Sequence, residues 1–120
     1  MNSKEVLSVI DETFESIQNI FSSKGREYAN DEKDQLMNFK RQGTELGVPP
    51  ELILNVYLSK HIDSVRNFIK VLNAEGFDKA VANLEQSEPI DGRINDIILY
   101  SFLLKCLISE RRKEHKSNES

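Results

Sequence analysis

The sequence predicts an all-α fold, a helical bundle with three long helices and one or two short ones. Apolar residues recur at helical spacings in each long segment, and no segment alternates apolar and polar residues as a half-buried strand would. Glycine or proline stands near each interruption of the helical pattern. A chain of 120 residues is the size of one domain. We expect residues 1 to 110 to form a single helical domain and residues 111 to 120 to form a polar tail that frays.

The first predicted helix has one apolar face. Asn2 and Glu5 have the spacing of a capping box at its start. A polar cluster around Gly25 then interrupts the periodicity, which predicts a loop from about residue 23 to residue 31. The apolar face is formed by Val6, Ile10, Phe14, Ile17 and Phe21.

The middle of the chain contains a weak helix followed by a long one. The weak helix passes through Leu36 and Phe39, and Gly47 is placed to end it in the left-handed conformation. Pro50 suits the first turn of the third helix, which we expect to run for about 22 residues until the break near Gly76.

The last predicted helix is apolar on more than one side. A short amphipathic piece, residues 77 to 84, precedes it, and Pro89 opens it. The run from Ile97 to Ile108 has apolar residues around most of its circumference, so one layer of neighbouring helices cannot cover it. We therefore expect a homo-oligomer with this helix in the bundle centre or at a subunit interface, and ligand sites near subunit boundaries. Cys106 lies within the run and is expected to be a buried, inert thiol.

Bulk properties exclude several classes of protein. A net charge of −4 does not favour nucleic acid as a partner. The N-terminus has no signal-peptide core, and the apolar run before Ser109 contains Lys105 and is too short to span a membrane. We expect a cytoplasmic protein with no membrane partner.

Three stretches carry polar residues within the helical pattern. They are "KGREYANDEKDQLMNFKR" at 24 to 41, "YLSKHIDSVRNF" at 57 to 68 and "EPIDGRINDIILY" at 88 to 100. Together they resemble small phage and prophage proteins with a nucleotide-modification-associated domain. The last stretch is also distantly similar to the final helix of MazG-type all-α nucleotide pyrophosphohydrolases. The resemblance implies a phage-encoded protein that acts on nucleotides in the cytoplasm of a host cell.

The chain departs from the MazG-type pattern at the metal site. That family binds magnesium through a Glu-Glu-x-x-Glu cluster and a Glu-x-x-Asp pair, whereas this chain offers a single Asp63 on the third helix and Arg93 with Asp96 on the last. We therefore assign no catalytic residue, no metal ligand and no cofactor. A magnesium-dependent enzyme would need one Mg²⁺ site built from Asp63, Asp96 and either Glu88 or Asp91.

The same positions suit an anionic ligand directly. Lys60 and Arg93 can neutralise phosphate charge, and His61 and Tyr100 can stack on a base or hydrogen-bond to it. The loop predicted after the first helix adds two cations and a tyrosine. The predicted ligand-binding set is Lys24, Arg26, Tyr28, Lys60, His61, Asp63, Arg93, Asp96 and Tyr100.

Each of these residues also has a structural interpretation. Asp63 could form a surface ion pair with Arg66, three residues along the helix. Arg93 and Asp96 could pair with each other or with charged residues of the third helix, and Tyr28 could be a core aromatic residue, as could Phe39. Three functions stay open at this point: a nucleotide-binding protein without turnover, a Mg-dependent nucleotide enzyme, and an interaction module that inhibits a host enzyme.

Overall fold

The computed structural model describes residues 1 to 28, 36 to 85 and 89 to 119, and in these ranges every regular element is an α-helix. Three helices are long and two are short, which confirms the predicted fold class. Their bounds are α1 Ser3–Tyr28, α2 Met37–Leu46, α3 Pro50–Glu75, α4 Phe77–Glu85 and α5 Ile90–Glu119. None of the described helices is long and apolar enough to cross a membrane.

The chain divides into two compact units, residues 1 to 37 and residues 38 to 120. That residues 1 to 110 fold as a single domain stays a prediction. The first unit contains α1, whose capping box is present: the Glu5 N–H donates to Asn2 Oδ1 at 2.9 Å and the Asn2 N–H donates to Glu5 Oε1 at 3.4 Å. The predicted loop is wrong as far as Tyr28, because α1 continues through Gly25. Glycine inside a helix costs only about 1 kcal/mol, which a long helix tolerates.

An apolar stripe runs along α1. Ile17 is its one buried member, at 5% exposure, and the other large apolar side chains of the stripe are exposed by more than a third. We call this set the α1 stripe. It consists of Val6, Leu7, Ile10, Phe14, Ile17, Ile20 and Phe21.

In the second unit, α3 is the helix against which α4 and α5 pack. Buried residues from all three helices form its core, with Leu54 completely covered. Burying a side chain of this size contributes about 1.5–3 kcal/mol, so the contact of α3 with α5 anchors the unit. The buried apolar residues are Ile53, Leu54, Ala80 and Leu107.

The turn between α2 and α3 is tight and contains two residues that were predicted to end or begin a helix. Gly47 has φ 70°, as predicted for the residue that ends α2, and Pro50 occupies the first turn of α3. The Val48 N–H donates to the Gly43 carbonyl at 2.9 Å, which draws the turn back onto α2. At the other end of α3, Gly76 has φ 93° and its N–H donates to the Leu72 carbonyl at 3.1 Å.

The helix α5 differs from expectation in two respects. The segment from residue 111, predicted to fray, is helical as far as Glu119. The prediction that Cys106 is buried is wrong, because this thiol is exposed while the next residue, Leu107, is buried. Successive helical residues are about 100° apart, so one can contact α3 while its neighbour faces outward. Ile94, Phe102 and Ile108 are also partly exposed.

Candidate functional site

The polar residues within α3 and α5 lie on one face of each helix. Lys60 and His61 follow Tyr57 by three and four residues on α3, and Asp96 and Tyr100 are four apart on α5. Residues at these spacings are neighbours on a helix surface. Because α3 and α5 pack together, the two polar faces meet.

Three of these side chains form a stack between the helices. The Tyr57 and Tyr100 rings are nearly parallel, at 8°, with centroids 6.2 Å apart. His61 stacks on Tyr100 with centroids 5.4 Å apart. Phe39 from α2 contacts both tyrosines edge-on, at 6.0 Å and 6.3 Å. We call Phe39, Tyr57, Tyr100 and His61 the aromatic ladder, and it joins α2, α3 and α5.

His61 at the end of the ladder faces a carboxylate. Its Nδ1 lies 3.7 Å from Asp96 Oδ2, close enough for electrostatic attraction but longer than a hydrogen bond. This nitrogen is buried and has no hydrogen-bond partner among the described atoms. A small rotation of either side chain would bring the two atoms into hydrogen-bonding range, so the pair can adjust when something contacts it.

Tyr100 is the most constrained ionisable group of the ladder. Burial raises the pKa of its phenol above the usual value of 10.0, and the Asp96 carboxylate and Tyr57 raise it further. Tyr100 therefore keeps its proton at neutral pH and can act as a hydrogen-bond donor. The Tyr57 hydroxyl is held from the other side, where it donates to Gln42 Oε1 at 3.3 Å.

Lys60 lies next to the ladder, and Arg93 lies farther along the face of α5 that carries Tyr100. Lys60 Nζ is 5.7 Å from the centre of the Tyr57 ring, within the range of a cation–π contact, and Lys60 is exposed to solvent. Arg93 is half-buried and lies one helical turn before Asp96 on α5. The face thus has an aromatic centre with positive charge beside it.

The structure brings together part of the predicted ligand-binding set. His61, Asp96 and Tyr100 are in contact, and Lys60 reaches the same cluster through Tyr57. Asp63 is exposed, and among the described side chains it forms no ion pair with Arg66. The side chains of Lys24, Arg26 and Tyr28 lie outside the described residues.

Sequence reasoning missed the packing roles of three residues. Tyr57 and Gln42 were not in the predicted set, and Phe39 was considered only as a core aromatic residue. The four-residue spacing of Tyr57 and His61 was the available signal, because it places both side chains on one face of α3. The contact of Gln42 with Tyr57 depends on how α2 packs, which helical periodicity alone does not specify.

The described residues contain no group of three or more His, Cys, Asp or Glu side chains that could hold a metal ion. Glu88, one of the carboxylates that the enzyme reading would use, lies outside the described residues. Within the site, the Asp96 carboxylate faces His61.

A cleft of about 520 Å³ lies between the α2–α3 turn and the C-terminal half of α5. The basic and acidic side chains that line this cleft form ion pairs with each other. Lys40 Nζ lies 2.7 Å from Glu110 Oε2, and the Arg111 guanidinium donates two hydrogen bonds to the Glu51 carboxylate. Arg111 holds the pKa of Glu51 below its usual value, chiefly through this hydrogen bonding. These pairs fasten α5 to α2 and α3, so we interpret the cleft as structural.

Comparisons of the chain with family models, curated proteins and solved structures gave no match. The resemblance to nucleotide-modification-associated proteins therefore stays a prediction, and the function has to be argued from the geometry of the site.

Proposed function

We propose that the chain is a phage-type protein that binds a phosphorylated nucleotide without turning it over, and that it sequesters a nucleotide messenger of a host antiviral system. The ligand would be a cyclic oligonucleotide or an ADP-ribose derivative. One observation supports this proposal best: the aromatic ladder is bordered by Lys60 on α3 and lies on the same face of α5 as Arg93.

The aromatic ladder offers side chains on which a nucleobase can stack. A base stacked on an aromatic side chain gains about 1–3 kcal/mol, and every base has a suitable face. His61 ends the described stack with 16% of its side chain exposed, and a planar ligand would extend the stack from this exposed part. Asp96 beside it can accept a hydrogen bond from the edge of a base.

Phosphate groups would lie toward the cations. Lys60 is exposed and can move toward a phosphate, and a guanidinium such as that of Arg93 binds phosphate oxygens in pairs. A hydrogen bond to a charged group contributes about 1.5–3 kcal/mol. Stacking together with two such contacts sums to about 4–9 kcal/mol, and the upper end of this range corresponds to a micromolar dissociation constant.

Binding without turnover is favoured by the composition of this face. Phosphoryl transfer on magnesium uses carboxylates as ligands of the ion. Among the described side chains in contact with the ladder, the carboxylate of Asp96 already faces His61, and the other charged group is the ammonium of Lys60. Such a surface can hold an anion without promoting its hydrolysis.

Calorimetry tests the proposal directly. The purified chain would be titrated with cyclic dinucleotides, cyclic trinucleotides, ADP-ribose and cyclic ADP-ribose. We expect at least one dissociation constant at or below the micromolar range. Lys60→Ala should weaken that binding about tenfold or more, since one charged contact is lost. Lys70→Ala removes an exposed lysine of the same helix outside the ladder and should leave binding unchanged.

The alternatives give different results. No binding tighter than micromolar to any ligand of the panel would contradict the proposal. Release of monophosphate from nucleoside triphosphates with Mg²⁺, abolished by Asp96→Asn, would instead establish the enzyme reading. Mass spectrometry of small molecules released from protein purified out of cells would identify a ligand that the panel omits.

A further inference from the structure

The α1 stripe has the spacing of a coiled-coil seam. Leu7, Ile10, Phe14, Ile17 and Phe21 follow one another at intervals of three, four, three and four residues. This is the a and d pattern of two successive heptads, which favours pairing with another helix that carries the same repeat. Val6 and Ile20 widen the stripe on one side.

A single helix cannot cover its own apolar face. The described part of the first unit contains one helix, α1. Ile17 is 5% exposed and so is already covered within the chain, whereas the rest of the stripe is open: Leu7 is 59% exposed, Ile10 41% and Ile20 37%. A surface helix normally buries such a stripe against a core. Exposed contiguous apolar patches of this kind mark interaction surfaces.

We propose that the α1 stripe is a dimer interface, and that its occupant is the α1 stripe of a second copy of this chain. The six partly exposed members of the stripe can remove roughly 1,000 Å² in total from water across two chains, taking about 150–250 Å² for a whole aromatic side chain and somewhat less for an aliphatic one. This is close to the minimum of about 1,000 Å² for a biological interface and below the roughly 1,200–2,000 Å² of stable ones, so we expect a weak dimer.

The polar residues beside the stripe fit an antiparallel pair. The side opposite Val6 and Ile20 carries Asp11 and Gln18, and in an antiparallel pair centred near Phe14 the acid of one chain faces the amide of the other. Lys4 then lies toward the C-terminal end of the other helix, where the helix dipole is negative. The remaining acids of this half of α1, Glu5, Glu12 and Glu15, lie away from the seam.

The interface differs from the one expected from sequence, which was placed on α5. The α5 residues that remain exposed, such as Phe102 and Ile108, do not form a continuous heptad seam. The α1 interface uses none of the aromatic ladder, so it can be tested independently of ligand binding.

Sedimentation or light scattering of the full chain at 10 to 100 micromolar tests the proposal. We expect a dimer of the 13.8 kDa chain. Ile10→Glu or Leu7→Glu places a charge in the seam and should weaken dimerisation by more than tenfold, and circular dichroism would check that each variant keeps its helices. Asn19→Glu adds the same charge on the opposite face of α1 and should dimerise as the wild type does.

Three outcomes would overturn the proposal. A wild-type monomer at all these concentrations would reject the dimer. A wild-type monomer in which Ile10→Glu also lowers the melting temperature would show that the stripe packs within its own chain. A dimer that persists unchanged in both Ile10→Glu and Leu7→Glu would place the interface elsewhere.

Cross-linking tests the orientation. In a Cys106→Ser background, Thr13→Cys lies near the centre of the antiparallel pair and should form a disulfide between the two chains. In the antiparallel pair, the two copies of Ser3→Cys lie at opposite ends, so this variant should form no disulfide between the chains. Equal cross-linking of both variants would overturn the antiparallel arrangement.

Discussion

The backbone of the α2–α3 turn leaves no room for a side chain at Gly43. A Cβ at this position would lie 2.7 Å from the Val48 carbonyl oxygen and 3.2 Å from the Pro50 nitrogen. These are backbone atoms in a turn held by the Val48 to Gly43 hydrogen bond, so they cannot yield as a flexible side chain would.

Gly43→Ala should therefore destabilise the protein although alanine favours helices. The helix propensity gain is about 1 kcal/mol, and the overpacking cost of about 1–3 kcal/mol exceeds it. We expect a net loss of about 1 kcal/mol in the free energy of unfolding, measured by urea denaturation. Glu45→Ala, an exposed position of the same helix, is the control and should change stability little. Unchanged or increased stability of Gly43→Ala would contradict the close packing of this turn.

The phenol of Tyr100 should titrate above the usual pKa of a tyrosine. Burial and the Asp96 carboxylate raise the pKa of its phenol above 10.0, so the folded state resists its ionisation. Because the folded pKa is raised, the stability that Tyr100 contributes is present below pH 10 and is lost as the pH rises through the folded value.

Absorbance of phenolate during alkaline titration measures this effect. We expect Tyr100→Phe to remove a phenolate transition above pH 10.0 and to make the protein less sensitive to alkaline unfolding. If the substitution removed no transition above pH 10.0, the environment of Tyr100 would not be the one described.

Among the elements, local signals predicted most helix boundaries. The Asn2 capping box, the left-handed Gly47 and Pro50 each specify a helix end by their own chemistry and occur as predicted, and the break predicted at Gly76 is the end of α3. The errors occurred where polar residues were interpreted as loop. Gly25 lies within α1, and the residues beyond Glu110 continue α5, because Glu, Lys and Arg are good helix formers whether or not they are buried.

The Glu51–Arg111 pair gives the C-terminal part of α5 a contact with α3. Arg111 lowers the pKa of Glu51 below 4.5, so the pair's contribution to stability is present above that value and is lost as the pH falls below it. Arg111→Gln should lower the melting temperature slightly at neutral pH and reduce the loss of stability on acidification, since Arg111 is exposed and solvent screens the pair.

Thermal melts between pH 7 and pH 3 would measure this dependence. Arg112→Gln removes the same charge from the next position and is the matched control. If the melting temperatures of Arg111→Gln and Arg112→Gln changed with pH in the same way, this result would contradict a specific role for the Glu51–Arg111 pair. High salt should shrink the difference between the wild type and Arg111→Gln, because exposed ion pairs are screened.

At the scale of the whole molecule, the site was only partly predictable. The polar interruptions of α3 and α5 identified His61, Asp96 and Tyr100, which the fold brings into contact. The ladder could not be derived in the same way, because the stacking of Tyr57 on Tyr100 and the edge contacts of Phe39 depend on the relative rotation of three helices. Helical periodicity defines faces, and tertiary packing decides which faces meet.

Thermal unfolding with and without ligand separates a binding site from a set of structural contacts. A ligand present at 100 times its dissociation constant stabilises the folded state by about 2.7 kcal/mol, which corresponds to a rise of roughly 10 °C for a chain of this size. Lys60 is exposed, so we expect Lys60→Ala alone to change stability by less than about 0.5 kcal/mol and to reduce the shift caused by the same ligand concentration. Lys70→Ala should retain the full shift. If the polar residues serve only structure, Lys60→Ala and Arg93→Ala would instead lower the melting temperature, and no nucleotide would raise it in any variant.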